Sequence, residues 1–440
     1  MLTEIAACNF KAFGQDPGLR IRTAGLNMLL GPNNSGKTSA LDVLALLVQT
    51  AREQSPTGLK WSGNLVELGA SGEYALHGGL RAPELQIEVR LERPTNLNVE
   101  PEVAKCLGQE IGYRIRFSPS TNRYTMHEFL VDGHVLVRNL LEKVGASYQP
   151  KLEIRDVLIS PLPPVVHDLH VFDGNLFVAG SMPPPHDTPY QRNALAQLRA
   201  AQVGLEAIRQ FFARKVFLVG AGRAIQGSEL DVQFRIPEVG RSAEHTLQVL
   251  STILAKPEYG SAETKIREWS RTFGLADVSS GWAGGSQLHS GYIDALTSTA
   301  LPLRSAGFGS QQILPIIIQL FASPEGSVIG LEEPETSLHP AAQVQLVRMF
   351  AEAVRAGRQL IVTTHSQYVV MALQEEINRG LSPKSVKVYH FIRPQTDSTA
   401  QELTIDDAGV LQGWVPSFAE VERRLLSDWM SRVHDRIKDE

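Results

Sequence analysis

The segment GPNNSGKT, residues 31–38, combines residue types that could bind a phosphate group. Gly31 and Gly36 would let the backbone curl so that its N–H groups point inward, and a following helix would direct its positive end at the same point. In this pattern Lys37 would neutralise the β- and γ-phosphates of a nucleotide, and Thr38 would hold Mg²⁺ through its hydroxyl. The complete spacing, G-x-x-x-x-G-K-T, therefore predicts a P-loop.

The residues around this segment match the context that a P-loop requires. The apolar run Leu26 to Leu30 predicts a strand. After the loop, apolar residues recur at helical spacing: Leu41, Leu44, Ala45 and Val48. The strand, loop and helix together favour a P-loop over a glycine turn that only caps a helix. We expect nucleotide contacts from the following residues: Gly31, Pro32, Asn33, Asn34, Ser35, Gly36, Lys37, Thr38 and Ser39.

A second apolar run, residues 328–331, ends in two adjacent carboxylates, Glu332 and Glu333. The run predicts a buried parallel strand, and ligands of open α/β sheets bind at the carboxyl ends of such strands. Because adjacent residues on a strand point to opposite faces, the two carboxylates should have different roles. We expect Glu332 to support Mg²⁺ through water, and Glu333 to orient and polarise the attacking water as general base.

A third strand end carries a histidine. Residues 360–362 predict a short apolar strand that ends in Thr363, Thr364 and His365. A histidine at a strand end is most often structural, but this one follows a P-loop and a carboxylate strand in the same chain. We therefore expect His365 to contact the γ-phosphate and to sense its presence.

These motifs, GPNNSGKT, LEEPETSLHP and TTHSQ in this order, resemble those of the ABC-type ATPase heads of the OLD family and its bacterial relatives. That group is kin to the SMC and recombination-repair ATPases. The resemblance implies an α/β fold of the ABC-ATPase head type, a P-loop NTPase with a mixed sheet flanked by helices. It also implies these assignments: Walker A at Lys37 and Thr38, Walker B at Glu332 and Glu333, the D-loop at residues 337–339, and the switch histidine at His365.

The stretch SAGFGSQQILP, residues 305–315, precedes the carboxylate strand and opens a predicted buried helix. By itself it is at least as typical of a flexible glycine turn as of a phosphate-binding loop. In the similar ATPases the signature loop lies at this position, so the resemblance implies that Ser305, Gly307 and Gly309 contact ATP. The stretch departs from the LSGGQ form of transporters, and the register of its serines stays open. We expect Pro315 in the opening turns of the helix.

The motifs divide the chain into four predicted regions. Residues 1–90 form an N-terminal ATPase lobe, and residues 301–400 form a C-terminal lobe with the signature, Walker B, D-loop and switch histidine. Residues 91–300 predict a compact inserted α+β arm, without heptads long enough for an SMC coiled coil. Residues 401–440 predict a strand or turn and an amphipathic helix that packs on the body, with docking to another chain as the alternative.

The composition of the 440-residue chain is that of an ordinary globular protein, with 43% hydrophobic and 20% charged residues. Its net charge of −5 means that DNA or RNA would need a local basic patch. Five basic residues cluster in sequence: Arg214, Lys215, Arg223, Arg235 and Arg241. We favour a solvated face over a nucleic-acid groove for this cluster. Two cysteines and the absence of a long apolar segment predict a cytoplasmic protein outside the membrane.

Together the motifs predict an Mg²⁺-dependent ATPase that pairs head to head, as a homodimer or higher assembly. ATP would lie between Lys37 of one subunit and the signature loop of the other. Because the tail after His365 is too short for the nuclease domain of OLD proteins, the resemblance favours control of a separate effector, such as a nuclease, in defence against phage or foreign DNA. Two alternatives stay open: a recombination-type ATPase that clamps DNA for repair, and a nucleotide-sensing scaffold with slow turnover.

Overall fold

The structure is a computed structural model of the 440-residue chain. It describes residues 1–53, 58–78, 83–95, 97–144, 147–156, 189–223, 238–283, 287–406, 408–412 and 424–431. The proline-rich stretch that contributes to the predicted arm lies almost entirely outside these residues, as do Arg235 and most of the predicted C-terminal helix.

One of the two seven-stranded sheets is antiparallel, with its strands in the order β2-β1-β4-β5-β6-β7-β8. Its strands are β1 (Leu2–Cys8), β2 (Leu19–Arg22), β4 (Leu85–Glu92), β5 (Glu110–Ser118), β6 (Arg123–Val131), β7 (His134–Val144) and β8 (Ser147–Ile154). A short helix, α2 (Pro101–Cys106), connects β4 and β5. The sheet joins strands on both sides of the predicted boundary at residue 91, because β4 spans the boundary and pairs with β1 before it and β5 after it.

One face of this sheet carries a row of alternating arginines and glutamates. We define the charge row as Arg20 and Arg22 of β2, Glu4 of β1, Glu88 and Arg90 of β4, Arg114 of β5, Glu128 of β6 and Arg138 of β7. Cross-strand neighbours face each other across the ladder, which lets opposite charges pair directly. The carboxylates are buried beneath the arginines, which remain partly exposed.

A mixed seven-stranded sheet carries the predicted motifs. Its strands, in spatial order, are β17 (Leu411–Gln412), β16 (Thr399–Ile405), β15 (Val386–Ile392), β3 (Leu26–Leu30), β14 (Gln359–Thr364), β13 (Val328–Glu332) and β9 (Val216–Val219). The five strands from β15 to β9 run parallel, and β16 and β17 add an antiparallel edge. The three strands predicted from apolar runs are confirmed, because parallel strands buried on both faces have continuous apolar sequences. Since β9 belongs to this sheet, the predicted arm supplies strands to both sheets.

Helices cover both faces of the mixed sheet. One apolar core contains residues of α1 (Lys37–Ala51) and α3 (Pro189–Lys215). The other contains residues of α4 (Thr246–Ala255), α5 (Gly260–Thr272), α6 (Phe308–Ala322), α7 (Pro340–Arg355) and α8 (Gln367–Asn378). Alternate strand residues enter the two cores, since Val328 packs in the first and Ile329 and Leu331 in the second. The predicted fold class, an α/β P-loop fold with a mixed sheet flanked by helices, is confirmed.

The remaining elements extend the second core and the tail. A three-stranded antiparallel sheet comprises β10 (Leu275–Ala283), β11 (Gln287–Asp294) and β12 (Ala300–Pro302). Residues 424–431 are helical and all exposed, including Trp429 and Met430. The prediction that the tail helix packs on the body is therefore wrong for these residues. In the described part of the chain, no helix combines the length and apolar character needed to cross a membrane.

Candidate active site

The ends of three neighbouring parallel strands bring the predicted motifs together. Leu30 of β3 pairs with Thr364 of β14, and Glu332 of β13 pairs with Thr363, so the three strands end side by side. The P-loop follows β3, while Glu333 and His365 follow β13 and β14 directly. The carboxyl edge of the mixed sheet therefore collects residues that lie far apart in the sequence, as expected for ligand sites in α/β folds.

The backbone of the P-loop has the left-handed conformations that its glycines permit. Gly31 has a φ of 151°, Asn34 of 60° and Gly36 of 97°. A Cβ atom at Gly31 would lie only 2.4 Å from the carbonyl oxygen of Phe391, so no side chain fits there. Gly36 is the N-cap of α1, which directs the unpaired N–H groups of the helix at the loop.

Lys37 is positioned by its own loop. The side chain is 5% exposed and donates hydrogen bonds of 2.8 Å to the carbonyl oxygens of Gly31 and Pro32. Burial lowers the pKa of Lys37, and the negative charges of Glu333 and Glu335 partly oppose this shift. The ammonium group is therefore held where phosphate oxygens would replace the two carbonyl oxygens as better acceptors.

The other P-loop residues divide by exposure. Those exposed to solvent are Pro32, Asn33, Asn34 and Thr38, and those buried are Gly31, Ser35, Lys37 and Ser39. The hydroxyl of Thr38 is thus accessible at the start of α1, where it could hold Mg²⁺. The Ser35 hydroxyl is buried and has no hydrogen-bond partner. An exposed threonine beside loop N–H groups and an unsatisfied hydroxyl fits a bound nucleotide with its metal.

Glu332 and Glu333 turn to different partners. Glu332 ends β13 on the α1 face of the sheet and forms an ion pair with Arg241. Glu333 has a φ of 42°, and its N–H donates a 3.0 Å hydrogen bond to the Thr363 carbonyl oxygen. Its carboxylate is about one third exposed, with Oε1 3.5 Å from Nδ1 of His365. A left-handed glutamate is sterically disfavoured, so the surrounding structure holds this turn in place.

Arg241 connects the Walker B carboxylate to the P-loop helix. Its Nη2 lies 2.9 Å from Oδ1 of Asp42, which is 2% exposed and one turn after Thr38 on α1. The second oxygen of Asp42 lies 2.5 Å from Nζ of Lys11. Burial alone would lower the pKa of Arg241, but Glu332 and Asp42 raise it above its usual value. A fully charged guanidinium therefore braces Glu332 beside the expected Mg²⁺ position.

The interpretation of the basic cluster as a solvated face needs a correction. Arg214 is exposed, as that interpretation predicts. Arg223 is only 1% exposed, however, and the side chain of Arg241 only 16%. Both arginines point into the ATPase lobe because β9, which precedes them, lies in the mixed sheet. The sequence carries no local signal that separates these two arginines from surface ones.

Glu335 holds the backbone of His365 and was not predicted. Its Oε1 accepts hydrogen bonds from the Thr364 hydroxyl at 2.6 Å and from the His365 N–H at 3.1 Å. The residue is 6% exposed, and its Oε2 has no hydrogen-bond partner. The spacing E-E-x-E in LEEPET could have drawn attention to this carboxylate. It holds the backbone of His365, whose ring stays partly exposed toward Glu333.

The predicted signature segment is exposed at the start of α6. Ser305 ends a short 3₁₀ helix and Gly307 is the N-cap of α6, whose first residue, Phe308, is 62% exposed. A Cβ atom at Gly309 would lie 2.5 Å from the carbonyl oxygen of Ser337, so the segment abuts the D-loop. Within the described residues, no hydrogen bond links this segment to the P-loop of the same chain.

The helix that follows begins earlier than expected. Pro315 is the eighth residue of α6, deeper than the opening turns in which the sequence analysis places it. A proline at this depth removes the N–H that would bond to the carbonyl of Gln311. The helix tolerates it because residues 312–322 are buried on all sides by the second core.

The parallel sheet, the P-loop and the two carboxylates at its carboxyl edge define the fold of a P-loop ATPase. The chain belongs to the family described as "AAA domain, putative AbiEii toxin, Type IV TA system", whose sequence profile matches residues 26–145 and 197–372, more than half of the chain. No curated protein matches the sequence significantly.

Two solved structures are similar to the chain at low identity. The SMC head domain from Thermotoga maritima is 12% identical with a TM-score of 0.43, covering 92% of this chain and 99% of its own. The Smc head domain with an extended coiled coil, bound to the C-terminal domain of ScpA derived from Pyrococcus furiosus, is also 12% identical. Its TM-score is 0.45, over 98% of this chain and 99% of its own.

Proposed function

We propose that the protein hydrolyses ATP with Mg²⁺ at the carboxyl edge of the mixed sheet, in a site completed by a second copy of the chain. The observation that carries this proposal is that the signature segment is exposed and, in the described residues, forms no hydrogen bond to the P-loop of its own chain. Lys37, Glu332, Glu333 and His365 meet at the edge, whereas the signature segment begins α6. Membership of the AAA family supports a nucleotide as the ligand.

Each residue at the edge has a role that its surroundings support. Lys37 would exchange its two loop carbonyls for the β- and γ-phosphates. Thr38 and, through water, Glu332 would hold Mg²⁺, which when bound neutralises charge on the phosphates. Glu333 would accept a proton from the attacking water, because its carboxylate is accessible and has no arginine or lysine partner among the described ion pairs. His365 would contact the γ-phosphate.

The partner subunit would supply the signature segment to this ATP. Ser305 and Gly307 are exposed, and the first N–H groups of α6 have no partner within the helix. A helix N-terminus favours a phosphate, so pairing two chains head to head would place one α6 against each nucleotide. Each dimer would then hold two sites that neither chain completes alone.

Substituting Gly307 by tryptophan tests the shared site. Gly307 has a φ of −55°, and a Cβ atom there meets nothing within 4 Å, so a monomer should tolerate the change. Gly309 is unsuitable because its side chain would displace the D-loop at Ser337. We expect Gly307→Trp to retain ATP-analogue affinity within about twofold and to lower hydrolysis by about 100-fold or more.

The matched control is Gly260→Trp at the start of α5, where a Cβ atom also meets nothing within 4 Å. This variant should hydrolyse ATP at the normal rate and pair normally in the presence of ATP. Light scattering with and without ATP measures the pairing. Normal turnover in Gly307→Trp would contradict the shared site, and loss of ATP binding in the monomer would contradict the assignment of the segment to the partner's nucleotide.

We further propose that the ATPase is OLD-like and controls a separate effector, such as a nuclease, in defence against phage or foreign DNA. The family description, which names a toxin of a type IV toxin–antitoxin system, supports an outcome that is harmful to the cell. The Glu333→Gln variant should keep ATP bound because it cannot hydrolyse it. Purification of this ATP-bound variant from its native host would test the effector role. A co-purifying nuclease supports the effector role, whereas salt-dependent DNA binding by the isolated protein would support a repair clamp instead.

A further inference from the structure

Arg223 is the most deeply buried charged side chain near the nucleotide edge. It is 1% exposed and lies shortly after β9. Its guanidinium donates these hydrogen bonds to main-chain carbonyl oxygens: Nε to Gln312 at 2.9 Å, Nη1 to Gly220 at 2.7 Å and Glu332 at 2.9 Å, and Nη2 to Glu333 at 3.1 Å and Pro334 at 3.4 Å. One side chain therefore contacts three separate elements.

The chemistry of these contacts is unusual for a buried charge. In the described ion pairs Arg223 has no carboxylate within bonding distance, so carbonyl oxygens alone solvate the cation. Burial lowers the pKa of Arg223 to about 10, and the more distant charges of Glu335, Glu332 and Glu333 oppose the shift. The group stays charged at neutral pH. Burying an unpaired charge is costly, whereas an apolar residue could fill the same space.

The three elements that Arg223 joins have different functions. Gln312 lies in the second turn of α6, the helix that the signature segment begins, and its side chain donates back to the carbonyl oxygen of Arg223. The carbonyl groups of Glu332 and Glu333 belong to the Walker B turn, in which Glu333 has its left-handed conformation. A movement of α6 would therefore pull on the turn that carries the general base.

We propose that Arg223 is a positioning residue that couples the two nucleotide sites of the dimer. This inference rests on the proposed function, in which α6 acts on the partner's ATP while Glu333 acts on the ATP of its own P-loop. Because Arg223 bonds to both elements in one chain, engagement of α6 by the partner's nucleotide sets the position of Glu333. Each site then hydrolyses at a rate that depends on the other.

Mixed dimers separate the two connections of Arg223. A dimer with Lys37→Ala in one subunit keeps a single working P-loop, in the other subunit. Arg223→Met placed on the Lys37→Ala subunit can reach the working site only through α6. Arg223→Met placed on the other subunit can reach the working site through Glu333 of that same subunit. Two affinity tags allow each mixed dimer to be isolated from co-expressed chains.

The matched control is Arg358→Met. Arg358 also bonds only to carbonyl oxygens, those of Phe321, Ser323 and Ala356, at 2.9 to 3.3 Å, and burial also lowers its pKa. Phe321 and Ser323 lie at the opposite end of α6, far from the signature segment. The control therefore removes a comparable arginine that contacts the same helix, without changing a contact to the Walker B turn.

We expect Arg223→Met to lower single-site hydrolysis by about 10-fold in both placements, while Arg358→Met changes it less than about twofold. ATP affinity of the monomeric variants should stay within about twofold, which a general loss of structure would not allow. A decrease in only one placement, or in neither, would overturn the coupling. If Arg223→Met fails to fold, Arg223→Lys, which keeps the charge but loses the fork of donors, should show a smaller decrease in both placements.

The failure of the proposed function is recognised separately. The mixed dimer that carries only Lys37→Ala should hydrolyse ATP at its single working site, more slowly than one site of the unchanged dimer because its other site is empty. Absence of hydrolysis by the unchanged dimer, or absence of ATP-dependent pairing, would contradict the shared site itself. Single-site hydrolysis that is unaffected by Arg223→Met would leave the shared site intact and contradict the coupling alone.

Discussion

Buried charge is arranged in opposite ways in the charge row of the antiparallel sheet and at the carboxyl edge of the mixed sheet. In the charge row each buried glutamate lies against at least two arginines, as Glu88 does with Arg90 and Arg114 at 2.6 and 2.7 Å. At the carboxyl edge, the buried cation of Arg223 has only carbonyl partners, and Oε2 of Glu335 has none. Each buried carboxylate of the row has its counter-charge. The edge holds a buried cation without a carboxylate partner and a buried carboxylate oxygen without a hydrogen bond.

Both regions contain non-glycine residues with left-handed backbone, but the residue types differ. The turns of the antiparallel sheet have this conformation at Asn122 and Asp132, which tolerate it, whereas the edge has it at Glu333, which does not. A left-handed glutamate persists only where the rest of the fold holds it, and such strain is typical of functional sites. We infer that changes in the row affect stability without affecting chemistry, and that changes at the edge do the reverse.

The largest effect is expected from Glu333→Gln at the edge. Loss of the general base should lower ATP hydrolysis by about 10²- to 10⁴-fold. The free energy of unfolding should change by less than about 0.5 kcal/mol, because this partly exposed carboxylate has no arginine or lysine partner in the described ion pairs. Single-turnover kinetics and urea unfolding measure the two quantities. A loss of several kcal/mol in the free energy of unfolding would contradict the inference that changes at the edge leave stability unaffected.

The next effect concerns Glu128→Gln in the charge row. This carboxylate is 1% exposed and pairs with Arg114 and Arg138, both at 2.5 Å. The amide would leave two guanidinium groups without their counter-charge. We expect a loss of about 2 to 3 kcal/mol in unfolding free energy, less than for fully buried pairs because the arginines reach solvent. Hydrolysis per folded molecule should not change, and a decrease beyond about twofold would show that the row serves the chemistry.

A smaller effect depends on pH and on His127 of β6. Its Nδ1 lies 2.6 Å from the Tyr113 hydroxyl, and complete burial lowers its pKa to about 3 from 6.5. Below pH 6.5 the unfolded chain takes up a proton that the folded chain does not, so stability falls as the pH is lowered. Between pH 7 and 5 the loss from this group should be about 2 kcal/mol.

The variant His127→Gln isolates that contribution, because glutamine stays neutral throughout. Its stability should depend less on pH than that of the unchanged protein, by about 2 kcal/mol between pH 7 and 5. Glu88 does not interfere. Burial alone would raise the pKa of Glu88, but hydrogen bonds from Arg114 and Arg90 keep this pKa below 4.5. The contribution of Glu88 to stability is therefore lost only at more acidic pH. Equal pH dependence in both proteins would refute the neutral buried histidine.

The smallest effect is expected from Glu84→Gln, the exposed counterpart of the buried row. Its ion pair with Arg116 spans 3.5 Å, and both side chains are about 40% exposed. Solvent screens such a pair, so the unfolding free energy should change by less than about 0.5 kcal/mol. Comparison with Glu128→Gln by urea unfolding shows whether burial, rather than the mere presence of an ion pair, gives the row its stability.

Local patterns were sufficient to predict the strands and motifs of the site. The strand at Leu26–Leu30 was predicted with its observed bounds, and the strands that precede Glu333 and His365 are present. Such features depend on residues adjacent in sequence, where apolar runs and glycine spacing have direct structural causes. The extent of the predicted arm was less accessible, because the pairing of β9 with β13, which places part of the arm in the mixed sheet, depends on residues far apart.

The amino-acid sequence by itself determined the residue types at the nucleotide edge and their order along the chain, because a P-loop and a carboxylate strand are local arrangements. Only the tertiary structure decided that Arg241 braces Glu332 and that Arg223 joins α6 to the Walker B turn. Both arginines follow β9, and they turn inward because β9 takes the edge position beside β13. The partner of a long, flexible charged side chain is set by strand order, which no local pattern encodes.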